Sequence, residues 1–117
     1  MDLNNAVQTH ADWKVKFRKA IQNKEQLDAL TILKDNCCEL GKWLYGEAKN
    51  NFSSLPSYSS CLEAHKSFHL VAGKVAGLIN DKKYTQAEAA LENNSEYSNA
   101  SNEVVKKILN LKRDAAL

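Results

Sequence analysis

His65-Lys66-Ser67-Phe68-His69 places two imidazoles four residues apart in a run that reads as helix. Side chains at i and i+4 sit one above the other on a helix face, with Cβ atoms about 5–6 Å apart. Leu62, His65, His69, Ala72, Ala76 and Ile79 form one stripe at helical spacing, so both imidazoles point where a core should be. A lone buried histidine is usually a hydrogen-bonded core residue. Two on one buried stripe can bind a single metal ion with no change of backbone, and imidazole is a common ligand.

The rest of the chain must therefore supply a helical core. One proline and four glycines in 117 residues favour helices over a turn-rich β fold, and the length suits one domain over residues 1–117. A first helix is expected over residues 3–22, where Leu3, Val7, His10, Trp13, Phe17 and Ile21 recur at threes and fours. A second is expected from Glu25, turning Leu27, Leu30 and Leu33 inward and breaking at Asn36-Cys37-Cys38. A short helical stretch over residues 40–48 follows, with a kink near Gly41. Residues 50–60, rich in Asn and Ser and holding the proline, read as a loop, with Ser59 or Ser60 capping a third helix that runs to Ile79. The last segment, residues 84–113, keeps phase through Ala87, Leu91, Tyr97, Val104, Ile108 and Leu111, with a bend at Asn93-Asn94-Ser95. The expected fold is all-α: an antiparallel four-helix bundle with an extra short helical segment after the Cys37-Cys38 pair.

The chain has three histidines, His10, His65 and His69, and each falls on the inward stripe of its helix. A fourth ligand is sought among Cys37, Cys38 and Cys61. Cys61 shares a face with His65 and His69, but three ligands spread over two turns of one helix splay around a tetrahedral ion. A cysteine from another segment serves better, and Cys38 sits at a helix break from which it can turn inward.

His10-x-x-Trp13, Cys38-x-Leu40-Gly41-x-Trp43 and His65-x-x-x-His69, in that order, resemble the chemoreceptor zinc-binding (CZB) domain of bacteria. The likeness extends through Ala72-Gly73-Lys74-Val75 and Tyr97-Ser98-Asn99-Ala100-Ser101-Asn102-Glu103-Val104. The resemblance implies Zn²⁺ held by His10, Cys38, His65 and His69 in a helical bundle. It also implies a cytoplasmic, homodimeric sensor attached to a methyl-accepting chemotaxis protein or a diguanylate cyclase, with zinc or an oxidant as its signal. Cys37 and Cys61 lie outside the pattern. A zinc-stabilised structural dimerisation module is the alternative reading.

Residue chemistry agrees: three imidazoles and one thiolate suit tetrahedral Zn²⁺ and leave no open position for a substrate. Lys66 stands where a zinc protease has its glutamate. Leu62 and Lys66, three residues before His65 and His69, stand where a di-iron bundle has glutamates. No enzyme activity is expected. A net charge of +2 with scattered lysines argues against nucleic acid. No apolar run spans a membrane, residues 1–6 show no secretory signal, and three cysteines make no disulfide framework, so a cytoplasmic setting without membrane contact is expected.

Overall fold

The computed structural model describes all 117 residues. It contains seven helices and no strand: α1 (Leu3–Asn23), α2 (Ala29–Leu33), α3 (Glu39–Tyr45), α4 (Glu47–Phe52), α5 (Pro56–Asn80), α6 (Tyr84–Ala90) and α7 (Glu96–Asp114). The expected helical bundle is present. Asp2 caps α1 by accepting the Asn5 N–H, and Lys24 ends it in the left-handed region at φ 53°. Ser95 caps α7 in the same way through the Ser98 N–H. The break expected at Asn93-Asn94-Ser95 is real, with Asn94 at φ 66°.

Contacts along the rods give their directions. Lys112 near the end of α7 donates to Asn4 at the start of α1, and Lys74 in the second half of α5 pairs with Glu96 at the start of α7. Hence α7 runs antiparallel to both α1 and α5. The return strand of the bundle is the stretch of residues 27–38. Leu27 lies beside Asn80, the Ile32 carbonyl beside His69 and Cys38 beside His65, so this stretch descends along α5.

That stretch holds less helix than expected. Only Ala29–Leu33 is helical, because the Leu27 N–H and C=O are both taken by the Asn80 side chain, each at 2.8 Å, and Asp28 caps a new turn after it. The inward phase read from Leu27 is lost as a result: Ile32 is buried, while Leu30 is 74% exposed and Leu33 39%. The break expected near Gly41 falls instead at Gly46, between α3 and α4. The long loop expected over residues 50–60 shrinks to residues 53–55. Pro56 opens α5 at its first turn, where a missing N–H costs nothing. Ser59 and Ser60 lie exposed inside α5 and cap nothing.

Two glycines let the backbones close up. A Cβ at Gly41 would lie 1.7 Å from the Asp35 carbonyl oxygen, and one at Gly73 would lie 3.0 Å from Leu33 Cα. Gly41 thus lets α3 seat against residues 35–36, and Gly73 lets α2 lie on α5. Phe17, Phe68, Tyr97, Ile108 and Leu111 fill the space among α1, α5 and α7.

Gly41→Ala is expected to destabilise the fold by about 1–3 kcal/mol, because the added methyl meets backbone that must move. Gly77→Ala has nothing within 4 Å of its new methyl and should stabilise α5 by about 0.5–1 kcal/mol. Urea unfolding of the two variants checks the contrast.

Candidate metal centre

Three chain segments deliver one donor group or a pair to the same buried point. α1 brings His10, α5 brings His65 and His69, and the residue before α3 brings Cys38. Their ligand atoms all lie within 4.8 Å of one another. His65 Nε2 is 3.1 Å from His10 Nε2 and 3.0 Å from His69 Nε2. Cys38 Sγ is 3.2 Å from His65 Nε2, 3.6 Å from His69 Nε2 and 4.0 Å from His10 Nε2. A tetrahedral zinc ion with bonds of about 2.0–2.1 Å to nitrogen and 2.3 Å to sulfur sets N···N edges of about 3.3 Å and S···N edges of about 3.6 Å. The S···N edges bracket the second value, and the two short N···N edges lie about 0.2–0.3 Å inside the first.

The hydrogen bonds behind the cluster decide which nitrogens face inward. His10 Nδ1–H donates to the Ala6 carbonyl at 2.7 Å, and His69 Nδ1–H donates to the Ile32 carbonyl at 2.8 Å. A carbonyl only accepts, so the proton sits on Nδ1 in both rings and both Nε2 atoms present lone pairs. In the neutral protein at most two hydrogens, on Cys38 Sγ and His65 Nε2, are left to separate four acceptors at these distances. A divalent cation satisfies all four at once. The donor set therefore fits Zn²⁺ on geometry and on hydrogen-bond count.

His65 Nδ1 differs from the other two: it is buried with no hydrogen-bond partner. Packing holds the ring instead, edge-on to His10 at 5.0 Å and to His69 at 4.5 Å between centroids. Phe68 packs edge-on against both His10 and His69, which makes it part of the wall of the centre.

Electrostatics keep the site ready for a cation. Desolvation lowers the pKa of all three imidazoles, for His65 to about 2; neighbouring imidazoles add to the shift at His65 and His10, whereas the Ile32 carbonyl and Asp35 oppose it at His69. All three are thus neutral and able to donate a lone pair at ordinary pH. Burial pushes the Cys38 thiol up, and the N–H groups of Gly41 and Leu40 oppose that rise. Cys38 is the N-cap of α3, its Sγ accepting the Gly41 N–H at 3.4 Å, so the start of a helix faces the sulfur that must become a thiolate. Asp35 lies close enough to raise the pKa of both His69 and Cys38. Its carboxylate offsets the net positive charge of a divalent ion on one thiolate.

Two clefts reach the cluster, one of about 300 Å³ bordered by Met1, Asn5, Thr9, His10 and Cys38, the other of about 170 Å³ bordered by Trp13, Lys34, Cys37, Cys38 and His69. Cys38 borders both and is the one member of the four that is not fully buried. Of the other residues singled out in the sequence, Trp13 lines the second cleft, whereas Trp43 packs on Phe52. Cys61 sits fully buried among apolar side chains, its thiol pushed up to about 12 by burial, and Cys37 is exposed. The Ala6 and Ile32 carbonyls and the hydrogen bond from Tyr45 Oη to Asp35 support the centre and carried no sequence signal.

Zinc titration should load about one ion per chain, falling well below that in Cys38→Ser and His69→Ala, as elemental analysis after gel filtration would show. In metal-free protein, the unfolded histidines bind protons near pH 6.5 that the folded ones do not. Stability should therefore be full above that pH and fall as pH drops through it, by up to about 1.4 kcal/mol per pH unit for each histidine. Urea unfolding at a series of pH values reads the slope.

Family comparison supplies independent support. The family model described as the chemoreceptor zinc-binding domain matches residues 10–76, more than half of the chain. The match begins at His10 and takes in Cys38, His65 and His69, and it ends before the Tyr97 to Val104 stretch. No curated protein and no solved structure matches the chain. With the three motifs inside the matched residues and their side chains gathered at one point, the chain belongs to the chemoreceptor zinc-binding (CZB) domain family.

Proposed function

We propose that this chain is the sensory part of a bacterial signal-transduction protein of the chemotaxis-receptor type, reporting zinc or oxidant through His10, Cys38, His65 and His69. The observation that carries this reading is the origin of the four donors: two long helices and one largely irregular stretch meet at a single point. Bound zinc would supply a cross-link among them and no reaction. Residues 27–38 are fastened to α5 by the Asn80–Leu27 pair, the His69–Ile32 bond and apolar packing that includes buried Ile32 and the Leu33–Gly73 contact. Cys38 then adds a fourth, metal-dependent anchor at the far end of the same stretch.

Cys38 is also the oxidisable member. Conversion of its sulfur to sulfenic acid removes the thiolate and weakens the hold on zinc. No catalytic role is assigned, since four protein donors fill a tetrahedral ion and leave no site for substrate. The domain is read as cytoplasmic, as a single unit over residues 1–117 and as a homodimer coupled to an output module. Exposed Leu30, Leu33 and Leu70, on α2 and the neighbouring part of α5, support a self-association surface there. No helix is long and apolar enough to cross a membrane.

Hydrogen exchange with and without zinc tests the reading. Zinc at a hundred times its Kd should stabilise the fold by about 2.7 kcal/mol, and the gain in amide protection should concentrate in residues 27–41. Zinc that a chelator cannot remove from the folded protein would favour the structural dimerisation module instead. Sedimentation at several concentrations, with Leu30→Lys alongside, tests the dimer.

A further inference from the structure

Cys37 takes no part in the four-donor cluster, yet its exposed thiol borders the same cleft as Cys38 and His69. Its one hydrogen bond is a long one, Sγ donating to the adjacent Asn36 Oδ1 at 3.5 Å. The backbone beneath it is free to turn: the N–H groups of Asp35, Asn36, Cys37 and Cys38 make no backbone hydrogen bond. Cys37 can therefore turn toward Cys38 without breaking a helix, while Cys38 stays tied to α3 through its carbonyl, which accepts the Lys42 N–H at 3.0 Å. Cys61, the remaining thiol, is sealed in the core on the other side of His65 and cannot compete.

The geometry points to Cys37 as the resolving thiol for Cys38, so that oxidation by hydrogen peroxide ends in a disulfide between these two neighbours. This inference rests on the redox reading of Cys38 given above. In the first step the Cys38 thiolate sulfur attacks one peroxide oxygen, the O–O bond breaks and hydroxide leaves. The sulfur is oxidised by two electrons to the sulfenic acid and the peroxide is reduced. In the second step the Cys37 sulfur attacks the sulfenic sulfur. The S–S bond forms, the S–O bond breaks, and the hydroxyl departs as water with the Cys37 proton.

Adjacent Cα atoms are about 3.8 Å apart, short of the about 4.4–6.8 Å that relaxed disulfides span. The resulting ring is strained and easily reduced, which suits a reversible signal and not a structural bridge. It also draws Cys38 Sγ away from the three imidazoles and stops oxidation before the irreversible sulfinic acid. Cys37 would thus make loss of the thiolate recoverable.

Trypsin cuts after Lys34 and Lys42, so both thiols fall on one peptide, residues 35–42. The full chain, zinc-loaded and metal-free, is treated with peroxide in the presence of dimedone, digested and weighed. Wild type should yield this peptide lighter by two hydrogens, without dimedone, and regain its thiols and zinc binding on reduction. Cys37→Ser, which should load zinc as wild type does, is expected to trap dimedone on Cys38, proceed to higher oxides and recover several-fold less zinc binding. Equal dimedone labelling in both proteins, or a disulfide joining two chains, would overturn the role of Cys37 and leave the redox reading of Cys38 standing. A peptide that stays unmodified in both proteins would overturn the two together.

Discussion

Four electron-pair donors crowded into one buried space are the constraint around which the chain is arranged. Nε2 of His10, His65 and His69 and Sγ of Cys38 all lie within 4.8 Å of one another, and five of the six pairs are between 3.0 and 4.0 Å apart. With at most two hydrogens among them, four buried acceptors facing one another cannot all be fully paired, which is unfavourable in a low-dielectric interior. The surrounding structure does not relieve this crowding; it enforces it. Backbone carbonyls of Ala6 and Ile32 hold the protons of His10 and His69 on the outer nitrogens. Phe68 braces both rings from behind. A cation would pair all four at once, so affinity for a metal and preference for this packing are expected to be linked.

Close backbone approach is the second requirement, and it explains why the bundle has one irregular corner. Cys38 must reach inward from outside the helices, with extended backbone at ψ 163°, so the chain before it cannot be a continuous helix. Gly41 removes the side chain that would strike the Asp35 carbonyl, and Gly73 lets Leu33 settle on α5. The Tyr45–Asp35 hydrogen bond then ties the two ends of this corner together. The same geometry leaves the N–H groups of residues 35–38 without backbone hydrogen bonds, which lowers the cost of local motion there.

Helical periodicity made the long elements legible. Leu3, His10, Phe17 and Ile21 on α1, and Ala87, Leu91, Tyr97, Val104, Ile108 and Leu111 on α6 and α7, are buried as their spacing required. The four candidate ligands were legible through order and residue type, and the structure brings all four together. Failures cluster where a tertiary bond outweighs local preference. Asn80 captures the backbone of Leu27 across 53 residues of sequence, which no window of neighbours reveals. Asn and Ser around Pro56 imitate a longer loop, but Asn50, Asn51, Ser59 and Ser60 face solvent on helices, where composition is weakly constrained. The carbonyl partners of His10 and His69 are main-chain atoms, so residue identity carries no trace of them.

Unequal anchoring of the donors bears on whether the metal reports or merely braces. Two long helices already pack through Phe17, Phe68 and Tyr97, so His10, His65 and His69 stay close together whether or not an ion is present. Cys38 is held differently, as the N-cap of the short helix α3. It is partly exposed, borders both clefts, and stands on a stretch whose own helix is a single turn. A bound ion would therefore act on residues 27–41 through Cys38, whereas the α1–α5–α7 core packs through its own aromatic contacts. A purely structural ion is better served by four equally rigid ligands, because any loose one lowers affinity. On the function proposed above, three imidazoles on long helices and one partly exposed thiol would confine a response to a single segment, which lies beside the exposed leucines of α2 and α5.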